Sequence, residues 1–352
     1  MSPYRAVLVG CGPRGEQHAR GLLANPDRFT LVAICDLEPT RLASLATRLG
    51  IRTTYSDADT MLASEHPDVL CFATMPHIRW PLVELGLKHG VKAIALEKPM
   101  ALSLAEAQRI TMRCAVAGVK VVICHQLRYG AHWQQAYELI RQGTIGDIHT
   151  IHATARPSML RVGTHLVDYM LWMNNGQRGA WVLGQVHGAE AYAEDHPCPD
   201  HLAGVIQFTN GVRGIVECGT LAPHLMDEDN FWGDGGVTVY GTHGYVRAVI
   251  GGGWQAVTAS SGGTVLSGPV DPAPQEGRHL QALADWLDDP QQVHPCHGDN
   301  SYHGLELLFG MCLSSLERRQ VALPVTPLPT VPVLEQLRQV LQALPSAGGR
   351  KL

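Results

Sequence analysis

Apolar and polar positions over the first 125 residues alternate between short buried runs and helical stripes. Tyr4 to Val9 reads as a buried strand, followed by a glycine-rich turn. From Glu16 to Asn25 the period changes, and Ala19, Leu22 and Leu23 share one helical face at i, i+3, i+4 spacing. Phe29 to Cys35 is a second strand. Leu42, Leu45, Ala46 and Leu49 mark a second helix that Gly50 stops. Asp68 to Ala73 predicts a third strand, Trp80 to His89 a helix, Val91 to Leu96 a fourth strand and Lys120 to Cys124 a fifth. Ser103-Leu104-Ala105-Glu106 is a capping box that opens another helix. Repeated strand–helix–strand units with short connections imply a parallel sheet covered by helices.

After about residue 147 the chain becomes strand-rich. His201 to Thr209 and Val212 to Leu221 flank Asn210-Gly211, the strongest short-range hairpin signal. Val237 to Tyr240 and Tyr245 to Ile250 flank a second turn, Gly241 to Gly244, and Trp254 to Ala259 and Thr264 to Leu266 extend the sheet. Helices return at Leu280 to Leu287 and Gly304 to Glu317. Pro324, Pro327, Pro329 and Pro332 form an extended connection to a last helix, Val333 to Leu344, and a loose tail, Ser346 to Leu352. The expected division is residues 1–125 and residues 126–352.

Composition narrows the function. A net charge of -5 gives no electrostatic footprint for nucleic acid or an anionic membrane surface. No run of 18 apolar residues predicts a transmembrane helix, and no signal-peptide pattern is expected at the start. Nine cysteines, an odd number without CxxC pairs, suit reduced thiols in the cytoplasm.

Chemistry enters at two strand ends. Gly10-Cys11-Gly12-Pro13-Arg14-Gly15 is GxGxxG between a predicted strand and a predicted helix. Such glycines allow a tight turn, backbone approach to a pyrophosphate and close helix packing, and the helix N-terminus adds unpaired N–H groups. Asp36 ends the second strand, 21 residues after Gly15, where a carboxylate accepts ribose hydroxyls and disfavours a 2′-phosphate. NAD is therefore favoured over NADP, with Arg14 and Arg41 left as groups that could meet a phosphate. Glu97-Lys98-Pro99 ends the fourth strand, where a lysine can relay a proton or can simply be half of a surface ion pair.

The glycine loop, Asp36, Glu97-Lys98-Pro99-Met100 and Gly163-Thr164-His165-Leu166-Val167-Asp168 occur in that order. Together they resemble the glucose–fructose oxidoreductase, inositol dehydrogenase and rhizopine-catabolism protein (Gfo/Idh/MocA) family. Ala73-Thr74-Met75-Pro76, Gln126-Leu127-Arg128-Tyr129, Ile140 to Ile148, Phe208-Thr209-Asn210-Gly211 and Tyr240-Gly241-Thr242-His243-Gly244 extend the resemblance to about residue 326. It implies an α/β protein: an N-terminal Rossmann doubly wound parallel sheet, then a C-terminal α/β domain with a large, open, mainly antiparallel sheet. It further implies hydride transfer between NAD(H) and a secondary hydroxyl or ketone of a sugar, polyol or sugar-acid-like substrate. A homodimer or homotetramer through the second sheet is implied too.

Carried over residue by residue, Lys98 hydrogen-bonds the reacting oxygen and relays a proton, and His165 is the general base or acid. Asp168 orients His165 or fills a core hydrogen-bonding role. Gln126 and Arg128 join the substrate side. Gly10, Cys11, Gly12, Pro13, Arg14, Gly15, Asp36, Thr74, Met75, Pro76, His77, Glu97 and Lys98 form the cofactor side.

Two positions depart from the family pattern. Arg161 stands where many members have Asp, and Arg79 where many have His. Arg161 either binds an anionic substrate group through its fork or pairs with a surface carboxylate. It also keeps open a catalytically silent NAD(P)-binding sensor, and an NAD-dependent glycoside hydrolase or lyase with transient oxidation is a further alternative. Asp195-His196-Pro197-Cys198-Pro199-Asp200-His201 and His294-Pro295-Cys296-His297 carry metal-ligand residue types, but their spacing matches no standard finger and no metal is expected. Asp227-Glu228-Asp229-Asn230 with Phe231-Trp232 is either the rim of a sugar site or a solvated loop with an aromatic anchor.

Overall fold

A computed structural model describes residues 2–226 and 230–343. The chain divides into two compact units. One holds the described residues of Met1–Ala101, Glu106–Gly130 and Pro272–Tyr302, and the other holds those of Leu102–Ala105, Ala131–Asp271 and His303–Leu352. The segment 272–302 thus groups with the first unit, which the division expected at residue 125 does not include.

The first unit begins β1 (Tyr4–Val9), α1 (Pro13–Leu23), β2 (Phe29–Cys35), α2 (Pro39–Leu49), β3 (Thr54–Tyr55), α3 (Ala58–Glu65) and β4 (Val69–Phe72). It continues with α4 (Arg79–Lys88), β5 (Ala93–Leu96), α5 (Leu104–Val116) and β6 (Lys120–Ile123). All strand pairs are parallel, in the order β3-β2-β1-β4-β5-β6. Ala6 to Val9, β4 and β5 are buried throughout, as strands covered on both faces must be. The winding reverses between β1 and β4, and the loops after these strands form the ligand crevice of a doubly wound sheet.

Three local features differ from the expected pattern. Helix α1 starts at Pro13 rather than Glu16, because Pro suits the first helical turn and Gly12 supplies the N-cap. Strand β3 and helix α3 were not anticipated: two residues show no alternation, and α3 buries only Met61 and Leu62.

The second unit contains α6 (Ala131–Arg141), β7 (Ile148–Ala155), a π-helical turn (Met159–Gly163) and α7 (Thr164–Met173). Strands β8 (Gly179–His187), β9 (His201–Phe208), β10 (Arg213–Gly219), β11 (Gly235–Gly241), β12 (Gly244–Val249), β13 (Gly253–Val257) and β14 (Leu266–Gly268) follow. After α8 (Glu276–Asp288) in the first unit come α9 (Gly298–Glu317), β15 (Val321–Ala322) and α10 (Val333–Ala343). The second sheet has the order β14-β13-β12-β11-β7-β10-β9-β8-β15, and only β7–β10 is parallel. The Asn210-Gly211 hairpin joins β9 to β10, with Gly211 at φ 88°. Trp133 and Tyr169, both fully buried, stack at 4.0 Å in this unit's core. Missing side chains at Gly184 and Gly204 leave room for Met311 of α9 against β8 and β9. The tail 346–352 and Leu344 lie outside the described residues.

Helix α8 closes the first unit's core. Leu280, Leu283 and Ala284 pack with Leu8, Leu22, Phe29 and Ile34. Gly21 lets α1 approach closely, because a Cβ there would lie 2.8 Å from the Glu276 Cβ. Arg28 ties the two ends with ion pairs to Asp285 at 2.7 Å and Asp288 at 2.6 Å. Leu283→Ala is expected to destabilise the first unit by about 2–5 kcal/mol, as a core truncation in β1 would. Urea unfolding followed by circular dichroism checks this, and an unchanged midpoint would remove α8 from that core.

Candidate functional site

The turn after β1 is shaped by contacts that exclude side chains. Gly10 has φ 95°, and a Cβ there would overlap the Ala73 carbonyl. A Cβ on Gly15 would overlap the Gly10 carbonyl oxygen. Gly12, by contrast, has no atom within 4 Å of its Cβ position, so the backbone at the start of α1 faces open space. No side chain caps that helix. Its first N–H groups therefore remain donors for an anion.

Asp36 braces the same turn. Its Oδ2 accepts from the Cys11 amide at 2.7 Å and its Oδ1 from the Glu38 amide at 2.8 Å. Across the crevice, Thr74 Oγ1 is buried with no hydrogen-bond partner among the described atoms. Met75 caps a 3₁₀ turn that begins at Pro76, and His77 is exposed on it. An open glycine backbone, uncapped helix amides, a carboxylate at the end of β2 and an orphan hydroxyl fit a dinucleotide.

The two arginines that could meet a phosphate differ in how firmly they are held. Arg14 donates to Glu97 Oε1 from Nε at 2.8 Å and Nη2 at 2.6 Å, and its Nη1 pairs with Glu276 at 3.0 Å. Arg41 lies 3.5 Å from Glu38.

Glu97 is the centre of a buried knot. Its Oε1 also meets His18 Nε2 at 3.0 Å, and its Oε2 accepts from the Lys98 amide at 3.2 Å. Burial alone would push this carboxyl up, but the His18 hydrogen bond and the Arg14 guanidinium reverse that and hold it well below its ordinary range. The sequence reading did not single out His18. Its signal was the i, i+4 spacing from Arg14 on the buried face of α1.

Lys98 is half-buried at the end of β5. Burial, helped by the Arg14 and Arg79 charges and opposed by Glu97 and Cys124, pushes its amine down to about 8. Nearby, Gln126 and Arg14 line a first-unit cavity of about 660 Å³. Arg128 is buried, with Nη1 3.5 Å from the Pro295 carbonyl and 3.8 Å from the Cys296 sulfur.

In the second unit, α7 carries His165 and Asp168 one turn apart, both buried. Gly163 fits α7 closely onto β10, since a Cβ there would lie 3.2 Å from Cys218 Sγ. Arg161, in the π-helical turn before α7, lines a cavity of about 290 Å³ with Arg156, Glu190, Glu194, Phe231 and Trp232. Arg161 pairs with Glu194 at 2.9 Å and lies under Trp232, 5.4 Å from the ring centre. Arg156, which the sequence reading passed over, pairs with the fully buried Asp234 at 2.5 Å and lies 5.6 Å from the Phe231 ring. With Asp200, three carboxylates face two guanidiniums, so the cavity carries no surplus positive charge. Asp227, Glu228 and Asp229 lie outside the described residues.

Two buried groups of metal-ligand types occur among the described residues: His279, His294, Cys296 and His18, Glu97, Cys124. Both are already committed elsewhere. His294 accepts the Cys296 amide on Nδ1 and meets the His279 carbonyl from Nε2, each at 3.0 Å. Glu97 is held by Arg14 and His18. All nine cysteines lie among the described residues, are buried and form no disulfide. No helix among the described residues is long and apolar enough to cross a membrane.

This geometry defines a two-unit α/β protein whose first unit is a dinucleotide-binding Rossmann domain. Residues 4–125 match the Gfo/Idh/MocA group, described as "Oxidoreductase family, NAD-binding Rossmann fold". The likeness to the Gfo/Idh/MocA oxidoreductases thus lies in that unit, which matches their NAD-binding domain. A D-apiose dehydrogenase of Paraburkholderia graminis is 34% identical over 143 residues, covering 41% of this chain and 38% of that protein. The chain thus spans about two fifths of the first curated relatives it matches, 38% of one and 42% of the next. A myo-inositol 2-dehydrogenase of Thermotoga maritima is 23% identical over 261 residues, covering 69% of this chain and 75% of that protein. A levoglucosan dehydrogenase solved with NADH and levoglucosan superposes with a TM-score of 0.78 at 16% identity, covering 92% of this chain and all of that one. The last likeness is one of fold.

The knot makes acid stability testable. Above the ordinary carboxyl value of 4.5, Glu97 is ionised folded and unfolded, and the knot contributes fully. As pH falls through the lower folded value, that contribution is lost. Glu97→Gln is expected to cost about 3–5 kcal/mol at neutral pH and to flatten the acid limb. Urea midpoints across acidic pH check it, and acid limbs that run parallel in the two proteins would contradict it.

Proposed function

We propose that the protein is a CH–OH dehydrogenase that exchanges a hydride between NAD(H) and a secondary hydroxyl or ketone of a neutral sugar or polyol. The observation that carries this reading is Lys98: a half-buried amine lowered to about 8 at the carboxyl end of a parallel strand in an NAD-binding domain. Bound NAD would supply the hydride acceptor. Among the chain's own residues, Gly12 and the first amides of α1 bind the pyrophosphate, and Asp36 the ribose. Thr74, Met75, Pro76 and His77 flank the cofactor, and Glu97 fixes the backbone from which Lys98 projects.

Lys98 hydrogen-bonds the reacting oxygen and, in its neutral form, accepts the proton. His165 is the second proton-handling group, with Asp168 one turn along as its orienting partner. Gln126 and Arg128 complete the polar surface offered to substrate. The ion pairs on Arg156 and Arg161 support a neutral polyhydroxylated ligand rather than a carboxylate, and Trp232 and Phe231 offer apolar faces for a ring. Dehydrogenase relatives that act on sugars and inositol support the same class.

Leu183 and Val205 sit opposite each other on β8 and β9 and are both exposed. They support a homo-oligomer through that sheet. Buried free thiols support a cytoplasmic setting.

The test is nicotinamide absorbance across a panel of sugars and polyols. Turnover should rise with pH through about 8 in the oxidising direction, as Lys98 loses its proton. Lys98→Met should lower kcat by about 10²–10⁴-fold while cofactor binding persists. Cofactor binding without turnover on any substrate would favour a sensor instead, and product without net NADH would favour a hydrolase or lyase.

A further inference from the structure

Arg79 opens α4 and is 1% exposed. Its Nη2 donates to the Thr74 carbonyl at 3.1 Å and to the Lys98 carbonyl at 3.0 Å. Its Nε and Nη1 are buried with no hydrogen-bond partner among the described atoms. Among the described residues no carboxylate forms an ion pair with the guanidinium; Glu97 and Glu106 act on it through space. Unmade hydrogen bonds on a buried cation are costly, and packing alone would be served by leucine or methionine. What arginine adds is a bridge between two loops and a fixed charge.

We propose that Arg79 is the positioning residue of Lys98: one guanidinium nitrogen ties the Lys98 carbonyl to the Thr74 carbonyl and sets a fixed cation beside the lysine. The inference rests on the reading of Lys98 as a proton-handling residue. The bridge joins the turn after β4 to the turn after β5, so the backbone that carries Lys98 is fixed against the cofactor-flanking loop. The charge acts on the amine. Burial brings Arg79 itself down to about 10, with Glu97 and Glu106 opposing, so it remains a cation at neutral pH. The charged and titratable groups acting on the Lys98 amine include Glu97, Arg14, Arg79 and Cys124. Among them, Glu97 favours the ammonium and the two guanidiniums favour the free amine, while burial pushes the Cys124 thiol well above its ordinary value and leaves it uncharged near neutral pH. Removing Arg79 leaves Glu97 less opposed.

The experiment is trace acetylation of the full-length protein with isotopic acetic anhydride over a pH series, read by mass spectrometry at the peptide containing Lys98. The wild-type amine should titrate near 8. Arg79→Met should raise the midpoint by about one unit. Arg79→Gln, which keeps a donor for the two carbonyls but not the charge, should do the same and serves if the Met variant does not fold. Arg79→Lys should stay near wild type. A folded Met or Gln variant with the wild-type midpoint, or an equal rise in the Lys variant, would overturn the assignment. The readout needs no substrate. A shifted midpoint in a protein that turns over no substrate would leave Arg79 in its role and sink the dehydrogenase reading.

Discussion

A buried carboxylate has to be neutralised, and the first unit is arranged around that need at Glu97. The residue is 4% exposed, and burial by itself would favour its protonated form. Arg14 and His18 approach from one face of α1, and the Lys98 amide approaches from the next residue. The glycine turn that starts α1 is thereby locked to the end of β5. Arg14 passes the constraint on to Glu276 at the start of α8, whose apolar face closes the core under β1 and β2. One desolvated charge thus links the cofactor turn, the lysine and the returning helix.

The same economy commits the Arg14 guanidinium to Glu97 and Glu276. In the proposed reading a pyrophosphate meets backbone N–H groups, which carry no counter-ion and lose no side-chain entropy on binding. The second unit repeats the theme of charges matched before any ligand arrives. Arg156 is neutralised by Asp234 and Arg161 by Glu194, and each guanidinium lies by an aromatic ring. An anion entering that cavity would have to displace a carboxylate already paired.

Much of the fold is legible along the chain. The bounds of β1 and β2 follow directly from their apolar runs, and the β9–β10 hairpin follows from Asn210-Gly211. Partners are harder to read than elements. The stripe on α8 shows which face is buried but not that it lies against Leu22 and Phe29, some 250 residues earlier. Glu97 and Arg14 are separated by 83 positions, and no local period links them. The glycine loop, Asp36 and Lys98 stood out because strand ends and turn chemistry mark them. Arg161 carried two readings, and only the fold brings Glu194 within 2.9 Å of it.

In the proposed NAD cradle, the Asp36 carboxylate at the end of β2 would disfavour a 2′-phosphate. Fluorescence titration of the purified protein with NADH and with NADPH tests it most directly. NADH should bind roughly tenfold or more tightly than NADPH, a difference of about 1.4 kcal/mol or greater. Equal or tighter binding of NADPH, or no binding of either, would contradict it.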